Sequence, residues 1–399
     1  MPDTSPFHES PVARAAVRTL RASQIRAVAN VGMGDPSVLP FWFGEPDVVT
    51  PAFIRAAAEA SLARGETYYT ENLGIPALRE GIAAYVGRLH GAVDPGRVAA
   101  TASGMSALAI VVQALVGAGD RVVAVTPLWP NLVEIPKVLG AQVDTVPLVP
   151  APTGFALDLD RLLSALRPGT RALLLNSPNN PTGWTITDDE QAAILAHCRR
   201  HGIWIVADDV YERLWFGDDR AAAPSFLACG TPDDRLVSTN SFSKAWAMTG
   251  WRLGWIVAPP TLVADLGTLI EYNTSCSPRF VQEAGVVALR DGEAAVAAFR
   301  ARLRDARDVL VAGLAALPGI EVAPPPAAMY AFFRVAGLTD SVAFCKALVR
   351  DAKLGLAPGR AFGPEGEGWI RWCFAAETAR LEDGLQRLRG FLARCGTAR

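Results

Sequence analysis

Runs of consecutive apolar residues, rather than alternating ones, mark the middle of the chain. They fall at 121–126 (RVVAVT), 171–176 (RALLLN), 203–208 (IWIVAD), 235–239 and 251–258. A strand that is apolar at every position is buried on both faces. Helical stretches such as 104–116 and 188–201 lie between several of these runs. The alternation predicts an α/β fold, with a mostly parallel sheet sandwiched by helices. After residue 292 the pattern changes. A helix is predicted to about 317, then a strand at 330–335, a helix at 340–352 and a strand at 369–375, and a last helix carries Leu381, Leu385, Leu388 and Leu392 on one stripe. This reads as a smaller α+β domain. The expected division is an N-terminal arm at 1–45 belonging to the small domain, a large domain at 46–291 and the small domain at 292–399.

Length agrees with two domains, since single cores stop growing near about 250–300 residues and this chain has 399. A net charge of −2 gives no electrostatic reason to expect nucleic acid or an anionic membrane as partner. The six cysteines are scattered without a CxxC pair, so neither a disulfide framework nor a zinc site is predicted. His197 and His201, at helical spacing beside Arg199 and Arg200, read as a solvated helix end. The first twenty residues lack an apolar core, and the longest apolar stretch, 107–119, is interrupted by Gln113. The expected compartment is therefore the cytoplasm.

Of 38 basic residues only four are lysines: Lys137, Lys244, Lys346 and Lys353. Three belong to helical stretches. Lys244 stands apart, in SFSKAWAMTGWRLGW, directly after a strand. Ser241, Ser243 and Arg252 around it offer donors to an anion, and Gly250 and Gly254 permit close backbone approach. Ligands of open α/β sheets bind at the carboxyl ends of the strands. Lys244 and Asp208, which closes IWIVAD, are both expected at that edge.

Seven segments then form a pattern. They are FGEPDVVTP (43–51), YTENLGIPALRE (69–80), TASGMSAL (101–108), NSPNNPTG (176–183), ADDVYE (207–212), SFSKAWAMTGWRLGW (241–255) and PGRAFGPEGEGWIRWCFA (358–375). In this order and spacing the chain resembles the fold-type I pyridoxal-phosphate enzymes, and within them the class I/II aminotransferases of aspartate/aromatic type. The resemblance implies pyridoxal 5′-phosphate as cofactor, with an L-amino acid and a 2-oxo acid exchanging the amino group by a ping-pong mechanism.

It also implies roles. Lys244 would hold the cofactor covalently and then act as general acid and base. Asp208 would pair with the pyridinium nitrogen, Tyr211 and Asn180 would face the phenolic oxygen, and Trp129 would stack on the ring. Ser103, Gly104 and Met105 at a helix start would meet the phosphate together with Ser241, Ser243 and Arg252. Met105 departs from the polar residue often found there. Tyr69, or Tyr68 beside it, would reach the phosphate of a neighbouring subunit, which implies a homodimer with shared active sites. Arg371 would clamp the substrate α-carboxylate, with the backbone of Gly44 and with Asn180 alongside.

Three other readings compete. A β-lyase, decarboxylase or oxidase would use the same cofactor. A ligand-sensing transcription regulator would need a DNA-binding domain, and the roughly 40 residues before FGEPD are too few and not basic enough. A nicotinamide-binding fold lacks its GxGxxG fingerprint. For the substrate side chain, Trp42 and Phe43 suggest an apolar wall, and Arg26 and Arg279 are the available candidates for a second cation.

Overall fold

The structure is a computed structural model that describes residues 12–396; the first eleven residues of the expected N-terminal arm lie outside the described residues. Seven strands make the main sheet: β1 (Val98–Thr101), β2 (Arg121–Thr126), β3 (Gln142–Pro147), β4 (Thr170–Asn176), β5 (Trp204–Asp208), β6 (Leu236–Ser241) and β7 (Gly254–Val257). Their spatial order is β1-β7-β6-β5-β4-β2-β3. The β2–β3, β2–β4, β4–β5 and β5–β6 pairs are parallel, and β7 runs antiparallel to both of its neighbours. This is the α/β sheet expected from the apolar runs.

The pattern did not reveal β1 or β3. β1 is only four residues long, and β3 is an edge strand whose mostly exposed or half-buried residues include charge. The run 251–258 is strand only from Gly254; a 3-10 turn at Thr249–Trp251 precedes it, and Arg252 adopts a left-handed conformation at φ 56°.

Local chemistry explains the helices around the sheet. Asp188–His201 starts with a reciprocal capping box between Thr187 and Glu190. It carries acids in its first turn and bases in its last, matching the helix dipole, and stops at Gly202 in the left-handed region. His197 Nε2 donates to the Leu166 carbonyl, 2.8 Å away, and no cluster able to hold a metal occurs among the described residues. Gly104–Leu115 begins where the Ser103 hydroxyl accepts from the Ser106 amide at 2.9 Å.

A second sheet of four strands forms from Ile320–Glu321, Tyr330–Val335, Trp369–Cys373 and Ala357–Pro358, in that spatial order. Helices Glu293–Ala315, Ser341–Ala352 and Thr378–Gly396 pack with it. Its apolar core also takes in Ile25, Val28, Phe41 and Trp42 from the N-terminal segment. Strand Leu39–Pro40 pairs with Leu354–Gly355, so this segment is tied to the C-terminal elements by backbone bonds as well. Apolar clusters on either face of the main sheet complete the core.

Candidate active site

Asn176, Asp208 and Ser241 end β4, β5 and β6, and all three line one cavity of about 560 Å³. Parallel strands bring this about: their carboxyl ends share one edge, and the residues just beyond them converge there. Asn176 and Asp208 are register partners across β4 and β5.

Directly after β6 the short helix Phe242–Ala245 presents Lys244 to the cavity. Its Nζ donates to the Gly44 carbonyl at 2.5 Å, and no carboxylate pairs with it among the described residues. Burial pulls the Lys244 amine down to about 8, so a substantial fraction is neutral near physiological pH. Asp208 is buried, and among the described residues its carboxylate accepts one hydrogen bond, a long one of 3.4 Å from the Val210 amide. Burial first, and the neighbouring Asp209 second, push its carboxyl up to about 7. Any cation placed beside it would restore the charged form.

Both members of the Asp208–Asp209 pair are buried, which excludes a solvated acidic surface patch. Asp209 points away from the cavity and accepts from Ser225 and Ser238 at 2.9 and 2.6 Å. One turn on, Glu212 accepts from Asn240 at 2.8 Å and contacts His90 Nε2 at 2.7 Å. This network pins the segment between Asp208 and Glu212. Tyr211 sits in the turn just ahead of the 3-10 helix Glu212–Leu214.

Arg371 comes from the second sheet. It is 2 % exposed, yet no carboxylate pairs with it among the described residues. One terminal nitrogen donates to Asn180 Oδ1 at 2.9 Å and the other to the Trp42 carbonyl, while Nε has no partner. Tyr330 and Phe362 lie under the guanidinium, with ring centroids 4.5 and 4.9 Å from its carbon. Asn180 is itself held, its backbone N–H donating to Asn176 Oδ1 at 2.8 Å.

At the other end, Gly104 and Met105 open the helix Gly104–Leu115 toward the cavity, where the first amides of a helix have no partner within it. Tight packing puts them there. A Cβ on Gly254 would fall 2.5 Å from the Gly104 amide nitrogen, and one on Gly104 would fall 2.9 Å from Ser241 Cβ. Ser241, Ser243 and Arg252 line the same end, as does Trp129. The Met105 sulfur accepts from Asn131 at 3.2 Å.

Most of the residues singled out in the sequence thus meet in one place. Ser103 contributes differently: its hydroxyl caps the helix and its side chain does not line the cavity. Tyr69 and Tyr68 lie outside this chain's cavity, 88 % and 84 % exposed. The Trp42 ring is packed in the core against Gly355, where an added Cβ would fall 2.1 Å from it, so of the apolar wall suggested by Trp42 and Phe43 only Phe43 faces the cavity. Arg279 is taken by Glu283 at 2.6 Å, whereas Arg26 lines the cavity with its guanidinium 4.7 Å from the Phe43 centroid. Sequence reasoning missed Tyr330, Thr249, Glu45 and Asn131 as lining residues. Tyr330 is hidden in an apolar strand, YAFFRV, that reads as core.

Comparison with known proteins agrees with this geometry. Residues 38–388 match the family of class I and II aminotransferases. An aspartate aminotransferase of Pyrococcus horikoshii is 32 % identical over 376 residues, covering 93 % of this chain and 95 % of its own. An arginine–pyruvate transaminase of Pseudomonas aeruginosa is 34 % identical, covering 91 % and 92 %. The solved structure of an N-succinyldiaminopimelate aminotransferase from Mycobacterium tuberculosis superposes with a TM-score of 0.89 at 31 % identity, covering 95 % of this chain and 99 % of that one. The chain belongs to the class I and II aminotransferases, with the fold-type I architecture. Its activity is that of a transaminase, which moves an amino group between an amino acid and a 2-oxo acid.

Proposed function

We propose that the cavity holds pyridoxal 5′-phosphate and that Lys244, Asp208 and Arg371 run an L-amino acid transamination on it. The observation that carries this reading is electrostatic. Two cations and one acid, all removed from bulk water, share a cavity without forming an ion pair among the described residues. Leaving such charges unmatched is costly unless a ligand completes them.

The donors fit this cofactor. Asp208 lacks a cation and suits a protonated ring nitrogen, the partly neutral Lys244 amine suits an aldehyde, and Trp129 offers a flat face. The Gly104 and Met105 amides, Ser241, Ser243 and Arg252 suit a phosphate, with Ser103 fixing the helix start that presents those amides. Bound there, pyridoxal phosphate would supply an electron sink for the charge left at the substrate Cα. Arg371 binds the α-carboxylate in its planar fork and, with the Gly44 backbone, orients Cα. Lys244 takes the proton from that Cα and returns one to the Cα of the 2-oxo acid in the second half-reaction. Asp208 keeps the ring nitrogen protonated, while Tyr211 and Asn180 donate at the phenolic oxygen.

Ile25 and Phe43 add apolar lining to the cavity, with the Arg26 guanidinium against the Phe43 ring. We propose an aromatic or aliphatic side chain for the amino donor. A donor panel tests it: kcat/KM for phenylalanine or leucine should exceed that for aspartate by about tenfold or more. A high value for aspartate with little for the apolar donors contradicts the proposal and assigns Arg26 to a side-chain carboxylate.

The exposed pair Tyr68 and Tyr69, with Tyr272 also at the surface, supports a homodimer in which Tyr69 serves the partner's phosphate. Light scattering on the eluting protein should then give twice 42.4 kDa; a persistent monomer contradicts it. The same reading divides the chain into an arm at 1–45, a large domain at 46–291 and a small domain at 292–399, with Arg371 reaching the cavity from the last. No helix among the described residues is long and apolar enough to cross a membrane, and we place the enzyme in the cytoplasm with its substrates.

A further inference from the structure

Tyr330 takes no part in the roles proposed above, although its hydroxyl oxygen lies 2.7 Å from that of Tyr211. Both side chains are buried, and burial raises both phenols above their ordinary value, so each keeps its proton. One bond between two hydroxyls uses one of the two hydrogens. Its direction decides whether Tyr211 has a hydrogen left for the cavity.

The surroundings favour one direction. The Arg371 guanidinium carbon stands 4.5 Å from the Tyr330 ring centroid. A cation over a phenol ring draws electron density from the oxygen and makes its O–H the stronger donor. Arg371 acts on Tyr211 as well but stacks on the Tyr330 ring; the cation over the Tyr211 ring is Lys244 Nζ, 5.8 Å from its centroid, and the nearby Asp208 opposes loss of the Tyr211 proton. The backbone is shaped for the Tyr330 hydroxyl too: a Cβ on Gly44 would fall 1.9 Å from that oxygen.

We infer that Tyr330 donates to Tyr211, so that the Tyr211 hydrogen remains free to point into the cavity and Tyr330 is a positioning residue for that donor. The inference rests on the reading that Tyr211 faces the phenolic oxygen of the cofactor. Successive donors polarise one another, so the Tyr211 O–H is strengthened as well as aimed. The link also joins the two sheets, since Tyr330 starts a strand of the second one and Tyr211 follows β5 of the first.

The test is a pH titration of the visible absorbance band of the protein loaded with pyridoxal phosphate. It compares wild type, Tyr330→Phe, Tyr211→Phe and the double variant. Donation to the phenolic oxygen stabilises its negative charge and therefore favours the deprotonated form, so weaker donation moves the midpoint up. Tyr330→Phe keeps the ring under Arg371 and should raise the midpoint by about half a unit to one unit. In the Tyr211→Phe background it should add nothing. An unmoved midpoint in Tyr330→Phe, or the same shift with Tyr211 already replaced, overturns the inference. A wild-type protein with no visible band overturns the underlying reading of the site instead.

Discussion

Replacing Lys244 by alanine lowers transamination at least about 10⁴-fold, while the protein keeps its fold. Two functions leave with one side chain, the covalent hold on the cofactor and the base that reaches the substrate Cα. No other lysine can take over: Lys137 pairs with Glu134 at 2.8 Å and Lys353 with Asp35 at 3.2 Å, and neither lines the cavity. Lys346 lies on the helix Ser341–Ala352 and does not line it either. Folding should survive because the side chain makes one hydrogen bond, to the Gly44 carbonyl, which borders a cavity large enough for water to replace it. Relieving a buried amine of its desolvation cost should raise Tm slightly. Initial rates and a thermal melt of the same preparation check both halves, and turnover within tenfold of wild type contradicts the role.

Arg371→Leu should be the next largest loss, roughly 10²–10⁴-fold in kcat/KM, the scale of about 3–5 kcal/mol for removing one partner of a buried charge pair. Here the lost partner is the one that meets the substrate. The free protein should suffer less than such a deletion normally implies, because among the described residues Arg371 has no carboxylate to strand. Leucine relieves an unpaired buried charge, at the expense of the hydrogen bonds to Asn180 and Trp42. The loss should therefore appear mainly in substrate binding, as a raised KM for every amino donor regardless of side chain. Saturation kinetics with two dissimilar donors check it, and a loss confined to one donor would assign Arg371 to the side chain instead.

The sequence made the architecture legible because burial on both faces leaves an unmistakable run of apolar residues. That signal located β2, β4, β5 and β6 to within a residue or two. It failed for β3, where an edge strand exposes charge, and for β1, whose four residues are too short a run. At the site, residues set at strand ends were readable, since a polar residue closing an apolar run marks the sheet edge. Asp208 and Lys244 were found that way. Arg371 was found through its motif, and its lack of a carboxylate partner among the described residues is visible only in three dimensions. Tyr330 was not found because a tyrosine in an apolar strand looks like packing. Trp42 misled for the reverse reason: the chain bends at 42–44, and Phe43 faces the cavity while the Trp42 ring packs into the core.

The central claim is that Lys244 and its unpaired neighbours form a pyridoxal-phosphate site that transaminates. The most direct measurement is the visible absorbance of the purified protein, supplied with pyridoxal phosphate, before and after a mixture of L-amino acids is added. Wild type should show a visible band that amino acids convert to one in the near ultraviolet, and a 2-oxo acid should restore it. A protein that shows no visible band, or one that gives the same conversion with Lys244 replaced by alanine, would contradict the account.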